Sequence, residues 1–563
     1  MVMGFSPTAR VRAAYRRIAE AGRPEVWISL RDEREVLAEA AELESRTDLP
    51  LAGLVCAVKD NIDVAGLPTT AACPAYAYTP EVSATAVRRI ADAGAIVLGK
   101  TNLDQFATGL VGTRSPYGAV RHATQPEKIS GGSSSGSAVA VALGIADFAL
   151  GTDTAGSGRV PAALNGIVGL KPTLGLVPTA GVVPAARPYD CVSVFSPTLD
   201  LGQRVLSVLT GPDPADPASR PWPSLIRLGA GSAPAVAVPE PRGLAPLSPA
   251  GRRAFGEAVD RLRAAGSQVS EVDITPLLDA ATLLYGGALV AERYAAVGEF
   301  LAAHPGDADV VVAAIILAAR ELPAHRLAAD QTRLGEYRLR AADLLAGFDA
   351  LLLPTTTGHP TLAEVCADPV GVNTRLGTYT NFVNLLDLAA VAVPAGAADG
   401  SPFGVSVVTR AFDDQVGIDI AAQLTGEQAA MPYPPAAAQL VVFGAHLRGQ
   451  PLNHELLACG ARFAGEVRTA PEYRMVVLPT DPPKPGVFRC SGGGTLCGER
   501  WLLSTAGAGA FLAGLPAPMS LGPILLDTGE QVLGFQCDPV TAATGVDITR
   551  HGAWQAWLSS VPR

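Results

Sequence analysis

Short apolar runs alternate with helical segments between residues 51 and 426, and this alternation limits the possible folds more than any other feature of the chain. The apolar runs have the length of buried strands and lie at residues 54–58, 95–98, 148–150, 351–353 and 390–393. Helical spacing marks the segments at 84–93 and 137–145. Strands that alternate with helices build a layered sheet with helices on both faces, so we predict an α/β fold class.

A proline cluster, MPYPPAAA at residues 431–438, interrupts the alternation and indicates a linker. We place a first domain at residues 1–430, with N-terminal helices at 1–50, the linker at 431–439 and a second domain at 440–563. The second domain has the size of a small α+β unit. Two domains also suit a chain of 563 residues, which exceeds one ordinary core.

The charge of the chain argues against a polyanionic partner. The 43 basic and 53 acidic residues give a net charge of −10. Residues 440–563 carry nine residues of each sign, so the acidic excess lies in the first domain. We therefore expect no nucleic-acid partner, and an anionic substrate would need a local cation.

The apolar runs and the cysteines of the chain indicate the cellular compartment in which we expect the protein. No apolar run reaches the ~18 residues of a membrane span without a Pro, Gly or Ser, and the longest, at 310–319, has the length of a core helix. The N-terminus has no signal-peptide pattern, so we expect a cytoplasmic protein that does not contact membranes. The eight cysteines include no CxxC pair, which predicts reduced thiols and no zinc knuckle.

Lysine is rare in this chain, in which five lysines stand against 38 arginines. Lys59 follows the apolar run at 54–58, where burial would disfavour the charged ammonium and lower its pKa, whereas an arginine would stay charged. Such a lysine can act as a base. The alternative is a structural lysine that pairs with Asp60.

The Gly/Ser loop at residues 131–137 runs directly into an apolar helix and is therefore no flexible linker. It lacks the Gly-Lys-Ser/Thr ending of a phosphate-binding P-loop. The letters GSSSG at 132–136 match the G-x-S-x-G nucleophile elbow of α/β-hydrolases. That elbow needs a buried strand before it, and residues 122–128 do not form one, so we disfavour this interpretation.

A third segment, GTDTAGS at residues 151–157, turns from a strand through small residues into a helix that begins near Val160. Consecutive backbone N–H groups in such a turn point at one spot and can bind an oxyanion. Ser157 would present its hydroxyl there, but a serine nucleophile needs a proton acceptor. Lys59 could take the proton through the hydroxyl of Ser133, which would itself be hydrogen-bonded to Ser157, without any histidine.

These three segments together resemble the amidase-signature hydrolases, whose catalytic triad is Ser, cis-Ser and Lys. Ser133 follows Lys59 by 74 residues and precedes Ser157 by 24, in agreement with the family pattern. The resemblance covers about residues 51–426. It implies a layered α/β/α domain with a mixed central sheet, with Ser157 as nucleophile, Ser133 as bridging serine on a cis peptide bond and Lys59 as general base.

The resemblance also implies an oxyanion hole formed by the backbone of Thr154, Ala155, Gly156 and Ser157. Ala155 stands where many relatives have Gly, and Gly158 where many have Ile or Val, but both residues keep the turn small. The triad requires no metal and no organic cofactor, and members of the family are often homodimers.

Within the family, the stretches at 108–118, 284–293 and 376–387 are similar to those of allophanate hydrolases. This similarity implies a small anionic amide as substrate, and hydrolysis to ammonia and carbon dioxide. Tyr285 and Arg293 would hold the substrate carboxylate, and Gly109 and Gly112 would also lie in the binding site.

The residue types at 285 and 293 suit this role. An arginine offers a bidentate fork for a carboxylate, and eight residues place Tyr285 about two helical turns away on a similar face. The alternative is an exposed arginine that pairs with Glu292 or Glu299, beside a core tyrosine.

The second domain resembles that of allophanate hydrolases and, with it, γ-glutamyl cyclotransferase-like folds. Two of its histidines could bind an anionic intermediate and assist decarboxylation, with His454 as the first candidate and His446 as the second. The alternative is that both are structural. A zinc-protease motif at His454 is excluded, because Ala458 stands where the second histidine belongs.

Two other functional hypotheses stay open at this point. One is an amidase of different specificity, for biuret, malonamide or aryl amides, or an amidotransferase component that acts on glutamyl-tRNA. The neutral C-terminal extension and the absence of a basic patch weigh against the amidotransferase. The other hypothesis is a non-catalytic anion-binding module built on the Gly/Ser loop.

Overall fold

The computed structural model describes residues 6–427, 432–481 and 483–561. Its contacts divide the chain into two compact units. The first comprises Met1–Pro221 and Ser232–Tyr433, and the second comprises Trp222–Gly231 and Pro434–Arg563. The predicted first domain ends at residue 430 and the predicted linker begins at residue 431. Both of these residues lie outside the described residues.

The first unit contains a large mixed sheet. Its strands are β1 (Trp27–Leu30), β2 (Val55–Lys59), β3 (Ile96–Thr101), β4 (Phe148–Asp153), β5 (Val168–Lys171), β6 (Cys191–Ser196), β7 (Ala235–Pro239), β8 (Gln268–Val272), β9 (Ala350–Pro354), β10 (Leu388–Ala398) and β11 (Ser401–Arg410). Their order across the sheet is β1-β3-β2-β4-β6-β5-β10-β11-β9-β7-β8. The strand pairs β2/β3, β2/β4, β7/β8 and β7/β9 are parallel, and the other pairs are antiparallel.

Helices of the first unit surround this sheet. They are α1 (Pro7–Ala21), α2 (Glu33–Glu42), α3 (Thr85–Asp92), α4 (Ser135–Ala142), α5 (Val160–Asn165), α6 (Leu199–Leu209), α7 (Pro249–Ala264), α8 (Thr275–Gly286), α9 (Ala291–Ala303), α10 (Val310–Leu317), α11 (Ala324–Leu345), α12 (Leu362–Ala367), α13 (Gly371–Leu376), α14 (Asn381–Leu385) and α15 (Asp414–Thr425).

Helices α5 and α15 cover opposite faces of the sheet at β11. A Cβ at Gly404 would meet Ala163 of α5, whereas the side chain of Thr409 lies beside Gly417 of α15. Positions 404 and 409 differ by an odd number, and successive residues of a strand point to opposite faces. The prediction of an α/β fold with a layered mixed sheet is therefore confirmed.

Parallel neighbours bring the chemically interesting residues to one edge of the sheet. In the β2/β4 pair, Val58 lies opposite Leu150, so the carboxyl end of β2 at Lys59 lies beside Gly151 and Thr152 of β4. In open α/β sheets, ligands bind at the carboxyl ends of the strands. The topology therefore places the end of β2 and the turn after β4 at the same edge.

Two local predictions need correction. The segment at 1–50 contains more than helices, because Trp27–Leu30 forms β1 and pairs with β3 at the edge of the sheet. The apolar segment at 310–319 does form a helix, α10, but only Val312 and Ile316 of this helix are buried, and Val310 is 78% exposed. An all-apolar sequence shows no polar face, so the sequence could not reveal which side faces solvent.

The second unit is smaller and rich in strands. Its strands are β12 (Ala438–Val442), β13 (Arg462–Arg468), β14 (Tyr473–Leu478), β15 (Lys484–Arg489), β16 (Cys497–Leu503), β17 (Met519–Leu525), β18 (Gln531–Cys537) and β19 (Val546–Asp547). Its helices are α16 (Asn453–Ala458), α17 (Thr505–Ala513), α18 (Pro539–Ala542) and α19 (Trp554–Ser560). One sheet has the order β13-β16-β12-β18-β17 and the other β15-β14-β19.

A segment from the middle of the chain belongs to the second unit. Within Trp222–Gly231, Ile226 and Leu228 pack against Leu502. The Leu228 carbonyl accepts a hydrogen bond from Arg462 Nη1 at 3.1 Å. Sequence analysis placed these residues in the first domain, because nothing in a short irregular segment indicates which distant core it joins.

In the part of the chain that the structure describes, every helix is too short or too polar to cross a lipid bilayer.

Candidate active site

Lys59 is fully buried at the end of β2 and contacts hydroxyl groups. Its Nζ lies 2.7 Å from Ser133 Oγ and 2.7 Å from Thr152 Oγ1. The predicted alternative, a pair with Asp60, is wrong, because Asp60 lies 3.1 Å from the Nζ of Lys100 instead. Adjacent residues of a strand point to opposite faces, so Lys59 and Asp60 are directed to different partners.

The environment of Lys59 favours a neutral amine. Burial lowers the pKa of Lys59 to about 7, while the carboxylates of Asp104, Asp153 and Asp190 raise it and the guanidinium of Arg293 lowers it further. Burial dominates because no carboxylate among the described residues is within ion-pair distance of the amine. The Lys59 amine can therefore lose its proton near neutral pH, as a general base requires.

The hydrogen bonds around Thr152 orient the lysine amine. A neutral amine has two N–H donors and one lone pair. Thr152 Oγ1 accepts from Lys59 Nζ and also from Asn61 Nδ2 at 3.3 Å, so both of its lone pairs are occupied. With a Lys59 N–H directed at Thr152, the lone pair of the amine can accept the Ser133 hydroxyl proton.

The rarity of lysine in the sequence does not by itself identify a base, because the other lysines are also at least partly shielded from solvent. None of the five lysines is exposed. Lys100 is buried against Asp60, and Lys171 donates to the backbone carbonyls of Pro172 and Leu388. Lys100 also donates to the Thr69 hydroxyl, so Lys59 differs from these two lysines in having hydroxyl partners alone, without a carboxylate or a carbonyl.

The Gly/Ser loop is buried and closely packed. The peptide bond between Gly132 and Ser133 is cis. Ser134, the central serine of the GSSSG letters, donates its hydroxyl to the backbone carbonyl of Thr152 at 3.0 Å and accepts from the backbone N–H of that residue. Ser134 is therefore occupied by the end of β4, and the structure gives no support to a nucleophile elbow at this position.

Asp153 holds the turn that carries Ser157. Its carboxylate accepts the N–H groups of Gly156 at 2.9 Å and Gly158 at 3.0 Å, and it forms a fully buried ion pair with Arg159. Burial raises the pKa of Asp153, but the Arg159 charge and these hydrogen bonds outweigh it and leave the pKa below its usual value. The turn therefore keeps its shape through a carboxylate that stays ionised.

The four predicted oxyanion donors are not equivalent. The N–H of Gly156 donates to Asp153, so of the four residues predicted to form the oxyanion hole Gly156 does not offer its N–H to a substrate. The N–H groups of Thr154, Ala155 and Ser157 donate to none of the described residues. The Ser157 hydroxyl likewise forms no hydrogen bond with a described residue, so the predicted hydrogen bond between Ser133 and Ser157 is absent and this hydroxyl keeps its bonding capacity for a substrate.

Arg293 and Tyr285 are in contact, but not as neighbours on one helix. Tyr285 lies on α8 and Arg293 on α9, because the chain leaves the helix at Gly287. Arg293 Nη2 donates to the Tyr285 hydroxyl at 2.9 Å, and Nη1 donates to Thr108 Oγ1 at 2.8 Å. The assumed helical spacing was wrong, although the contact that it was meant to explain is present.

The Arg293 guanidinium is 2% exposed and has no carboxylate partner among the described residues. The alternative of an exposed arginine that pairs with Glu292 or Glu299 is therefore wrong. An unpaired buried cation is costly, typically several kcal/mol, until an anion binds to it. The charge of Arg293 lowers the pKa of Lys59, so we group the two residues in one candidate site.

The second unit contains a separate cavity of about 450 Å³. Its polar lining includes His446, Glu455 and Lys484, and His446 Nε2 lies 2.9 Å from Glu455 Oε2. Burial lowers the pKa of His446 more than Glu455 raises it. His454, the first candidate from the sequence, is exposed, and its Nδ1 contacts the Pro451 carbonyl outside this cavity.

Several residues of these sites were not found from the sequence. Thr152 and Arg159 contact residues that are distant in the chain, which local patterns do not reveal. Asp104 and Asp153 contact backbone N–H groups of nearby loops, but an isolated aspartate in the sequence does not show which N–H groups it will accept. Lys484 could have been found, because the rarity of lysine that drew attention to Lys59 applies to it equally.

Comparisons with known proteins identify both parts of the chain. The Amidase family profile matches residues 9–416, and the profile named allophanate hydrolase C-terminal domain matches residues 438–559. The urea amidolyase of Saccharomyces cerevisiae is 40% identical over 95% of this chain, which spans 31% of that relative. A glutamyl-tRNA(Gln) amidotransferase component of Acidobacterium capsulatum is 34% identical over 67% of this chain and 85% of the relative.

Solved structures agree with these matches. The allophanate hydrolase of Kluyveromyces lactis is 37% identical, with a TM-score of 0.86 over 99% of this chain and 97% of that one. The urea amidolyase of K. lactis is also 37% identical, with a TM-score of 0.88, and this chain covers 36% of it.

We predict that hydrolysis by this site depends on the neutral form of Lys59. Its pKa of about 7 means that protonation removes the base at lower pH, so kcat/KM should fall about tenfold per pH unit below 7 and level off above it. Initial rates between pH 5 and 9 measure this profile. Lys59→Arg, which cannot lose its charge, should lower kcat/KM at least ~100-fold at every pH.

The matched control is Lys128→Arg, which changes a half-buried lysine that contacts Ser401 and should leave the profile unaltered. A flat profile from pH 5.5 to 8, or an active Lys59→Arg variant, would show that Lys59 is not the base.

Proposed function

We propose that this chain, which belongs to the amidase family, hydrolyses the terminal amide of allophanate (urea-1-carboxylate) through a serine acyl-enzyme. The observation that carries the proposal is the buried Arg293, whose charge has no carboxylate partner among the described residues and acts on Lys59. A small substrate with its own carboxylate supplies the missing anion, and its amide then lies near the base.

The first step is attack by Ser157 on the terminal amide carbonyl of the substrate. Lys59 receives a proton through Ser133, whose hydroxyl lies 2.7 Å from the amine. The negative charge that develops on the carbonyl oxygen is stabilised by free backbone N–H groups of the turn, with Ala155 and Ser157 as the proposed donors. Such fixed donors are worth about 3 kcal/mol each in acyl transfer.

Release of ammonia requires proton transfer in the opposite direction. The protonated Lys59 returns its proton through Ser133 to the departing nitrogen, which leaves as ammonia. Water then attacks the acyl-enzyme with Lys59 again as base, and an N-carboxylated carbamate is released. The triad itself supplies both the acid and the base for this sequence.

The carboxylated product requires a second step, and we assign that step to the cavity of the second unit. Lys484 has no ion-pair partner among the described residues and lines the cavity together with the His446–Glu455 pair. The ammonium of Lys484 would hold a carboxylate, and His446 would donate a proton to the nitrogen as carbon dioxide leaves. This assignment favours His446 over His454, because only His446 lines the cavity.

Other small amides are the main alternative. Biuret, malonamide and aryl amides carry no carboxylate and would leave the charge of Arg293 unpaired. The amidotransferase relatives match 67% of this chain, whereas the separate match over residues 438–559 is to a domain named for allophanate hydrolase. We therefore favour allophanate. We also propose, from the family resemblance, a cytoplasmic homodimer, which light scattering of the purified chain would test.

The proposed activity is tested by an ammonia-release assay on allophanate, biuret, malonamide and urea. We expect the highest kcat/KM with allophanate, because it alone among these amides carries an anion for Arg293. Ser157→Ala should reduce ammonia release at least ~1,000-fold while the thermal unfolding temperature is preserved. Equal rates on all four amides, or near-normal turnover by Ser157→Ala, would contradict the proposal.

Arg293→Gln should separate charged from neutral substrates. Loss of a charge-assisted contact of about 1.5 to 3 kcal/mol predicts a ~10- to 100-fold lower kcat/KM for allophanate, with a much smaller change for malonamide. Since Arg293 also lowers the pKa of Lys59, its removal moves the acid limb of the profile to higher pH. The comparison is therefore made on the alkaline plateau. Equal losses for both substrates would argue against a carboxylate contact.

His446→Gln should slow the second step alone. We expect normal release of the first ammonia and accumulation of the carboxylated carbamate, which ¹³C NMR of labelled allophanate can follow. His454→Gln is the matched control, since it changes an exposed histidine of the same region outside the cavity. If His446→Gln handles both steps at the normal rate, the cavity does not catalyse decarboxylation.

A further inference from the structure

A buried carboxylate, Asp104, joins two loops of the candidate active site. The side chain is fully buried, and it accepts backbone N–H groups of Val111 at 3.1 Å and Gly112 at 3.0 Å through Oδ2, and of Arg114 at 3.0 Å through Oδ1. Its own backbone N–H donates to the carbonyl of Ser133 at 3.1 Å. One residue therefore contacts the loop at 109–114 and the backbone of the bridging serine.

Two positions beside Asp104 have no room for a side chain, because the carboxylate occupies the space that a Cβ would need. A Cβ at Gly109 would lie 2.6 Å from Asp104 Oδ2, and a Cβ at Gly132 would overlap the same oxygen. The N–H of Gly132 also donates to the carbonyl of Leu110 in the facing loop at 2.8 Å. Gly109 and Gly112 are predicted to bind substrate; in the structure Gly109 packs against the carboxylate, whereas Gly112 donates its backbone N–H to it.

The loop that Asp104 holds also supports Arg293, the cation that is proposed to bind the substrate. Thr108, which precedes the loop, accepts a hydrogen bond from Arg293 Nη1 through its hydroxyl and one from Arg114 Nη1 through its carbonyl. Displacement of the loop would therefore displace the partner of Arg293. Asp104 connects the part of the site that moves protons with the part that holds an anion.

The charge of Asp104 has no counterion at contact distance. It forms no ion pair with any described residue, and three backbone N–H groups stabilise it. Among the charges that act on Lys59, those of Asp104, Asp153 and Asp190 favour the ammonium and that of Arg293 opposes it, with the Asp104 contribution the largest. Asp153 is compensated by Arg159, whereas Asp104 is not.

We propose that Asp104 is a positioning residue that holds the 109–114 loop against the Ser133 segment and supplies a fixed negative charge to Lys59. The carboxylate contacts the backbone of the 109–114 loop and none of the triad side chains among the described residues, so it acts through the backbone of Ser133 and through the field at the amine. The inference takes the base and nucleophile from the proposed function, but it does not depend on which amide is the substrate.

The test therefore uses a fluorophosphonate, which labels an activated serine whatever the natural substrate is. The pseudo-first-order rate of Ser157 labelling is measured from pH 5 to 9 for the wild-type chain and for Asp104→Asn. Without the negative charge the ammonium loses stabilisation, so the midpoint of the acid limb should move to lower pH. The amide NH₂ would also face the N–H of Arg114, so the plateau rate should fall at least ~10-fold.

The matched control is Asp414→Asn. Asp414 is also a fully buried carboxylate of the first unit, where it accepts from the backbone N–H and hydroxyl of Thr173. It has no contact with the triad, so its variant should keep the wild-type midpoint and plateau. Thermal unfolding of both variants shows whether they fold equally well.

A second variant separates position from charge. Gly109→Ala keeps the carboxylate but places a methyl group against Oδ2, so the plateau rate should fall while the midpoint stays near the wild-type value. This variant also serves if Asp104→Asn does not fold. An unshifted midpoint in a folded Asp104→Asn variant would overturn the electrostatic role, and wild-type labelling by Gly109→Ala would overturn the positioning role.

These outcomes differ from failure of the proposed function. If the wild-type chain labels at Ser157 but releases no ammonia from allophanate, the substrate assignment fails and the inference about Asp104 is still judged by its variants. If Ser157 is not labelled in the wild-type chain at any pH, the base and nucleophile are misassigned and both proposals fail.

Discussion

Burial of one lysine amine without a carboxylate at contact distance is the constraint on which the candidate active site depends. In water, Lys59 would be charged at neutral pH and useless as a base. At the end of β2 the surrounding protein excludes water, and the nearest partners are the hydroxyls of Ser133 and Thr152. The pKa falls to about 7, because the desolvation cost exceeds the attraction of the more distant carboxylates.

The carboxylates around the lysine are arranged so that they do not pair with it. Asp60, the next residue, is turned away toward Lys100, and Asp153 is neutralised by Arg159. A direct pair with either aspartate would have held the amine in its charged form. Two nearby carboxylates still have structural roles, because Asp153 shapes the turn that carries Ser157 and Asp104 holds the loop at 109–114.

Each of the two units contains a cation that has no ion-pair partner among the described residues. Arg293 in the first unit is a buried cation without a carboxylate partner among the described residues, and Lys484 in the second lines a cavity with a histidine and a glutamate. Under the proposed function, each cation would pair with a small anion instead of with a carboxylate of the protein. An overall negative chain can therefore receive anionic molecules, because local fields and not the net charge decide what binds at these positions.

The order and spacing of the Lys, Gly/Ser and GTDTAGS segments, and the alternation of strands with helices, could be read from the sequence alone, because both depend on residue types within short windows. The partners of individual residues could not be predicted and were decided by the tertiary structure. Asp60 pairs with Lys100, and Tyr285 contacts Arg293 from a different helix. His446 and not His454 lines a cavity, and Trp222–Gly231 joins the second unit. These contacts depend on strand register and on packing between residues far apart in the chain, which local patterns do not encode.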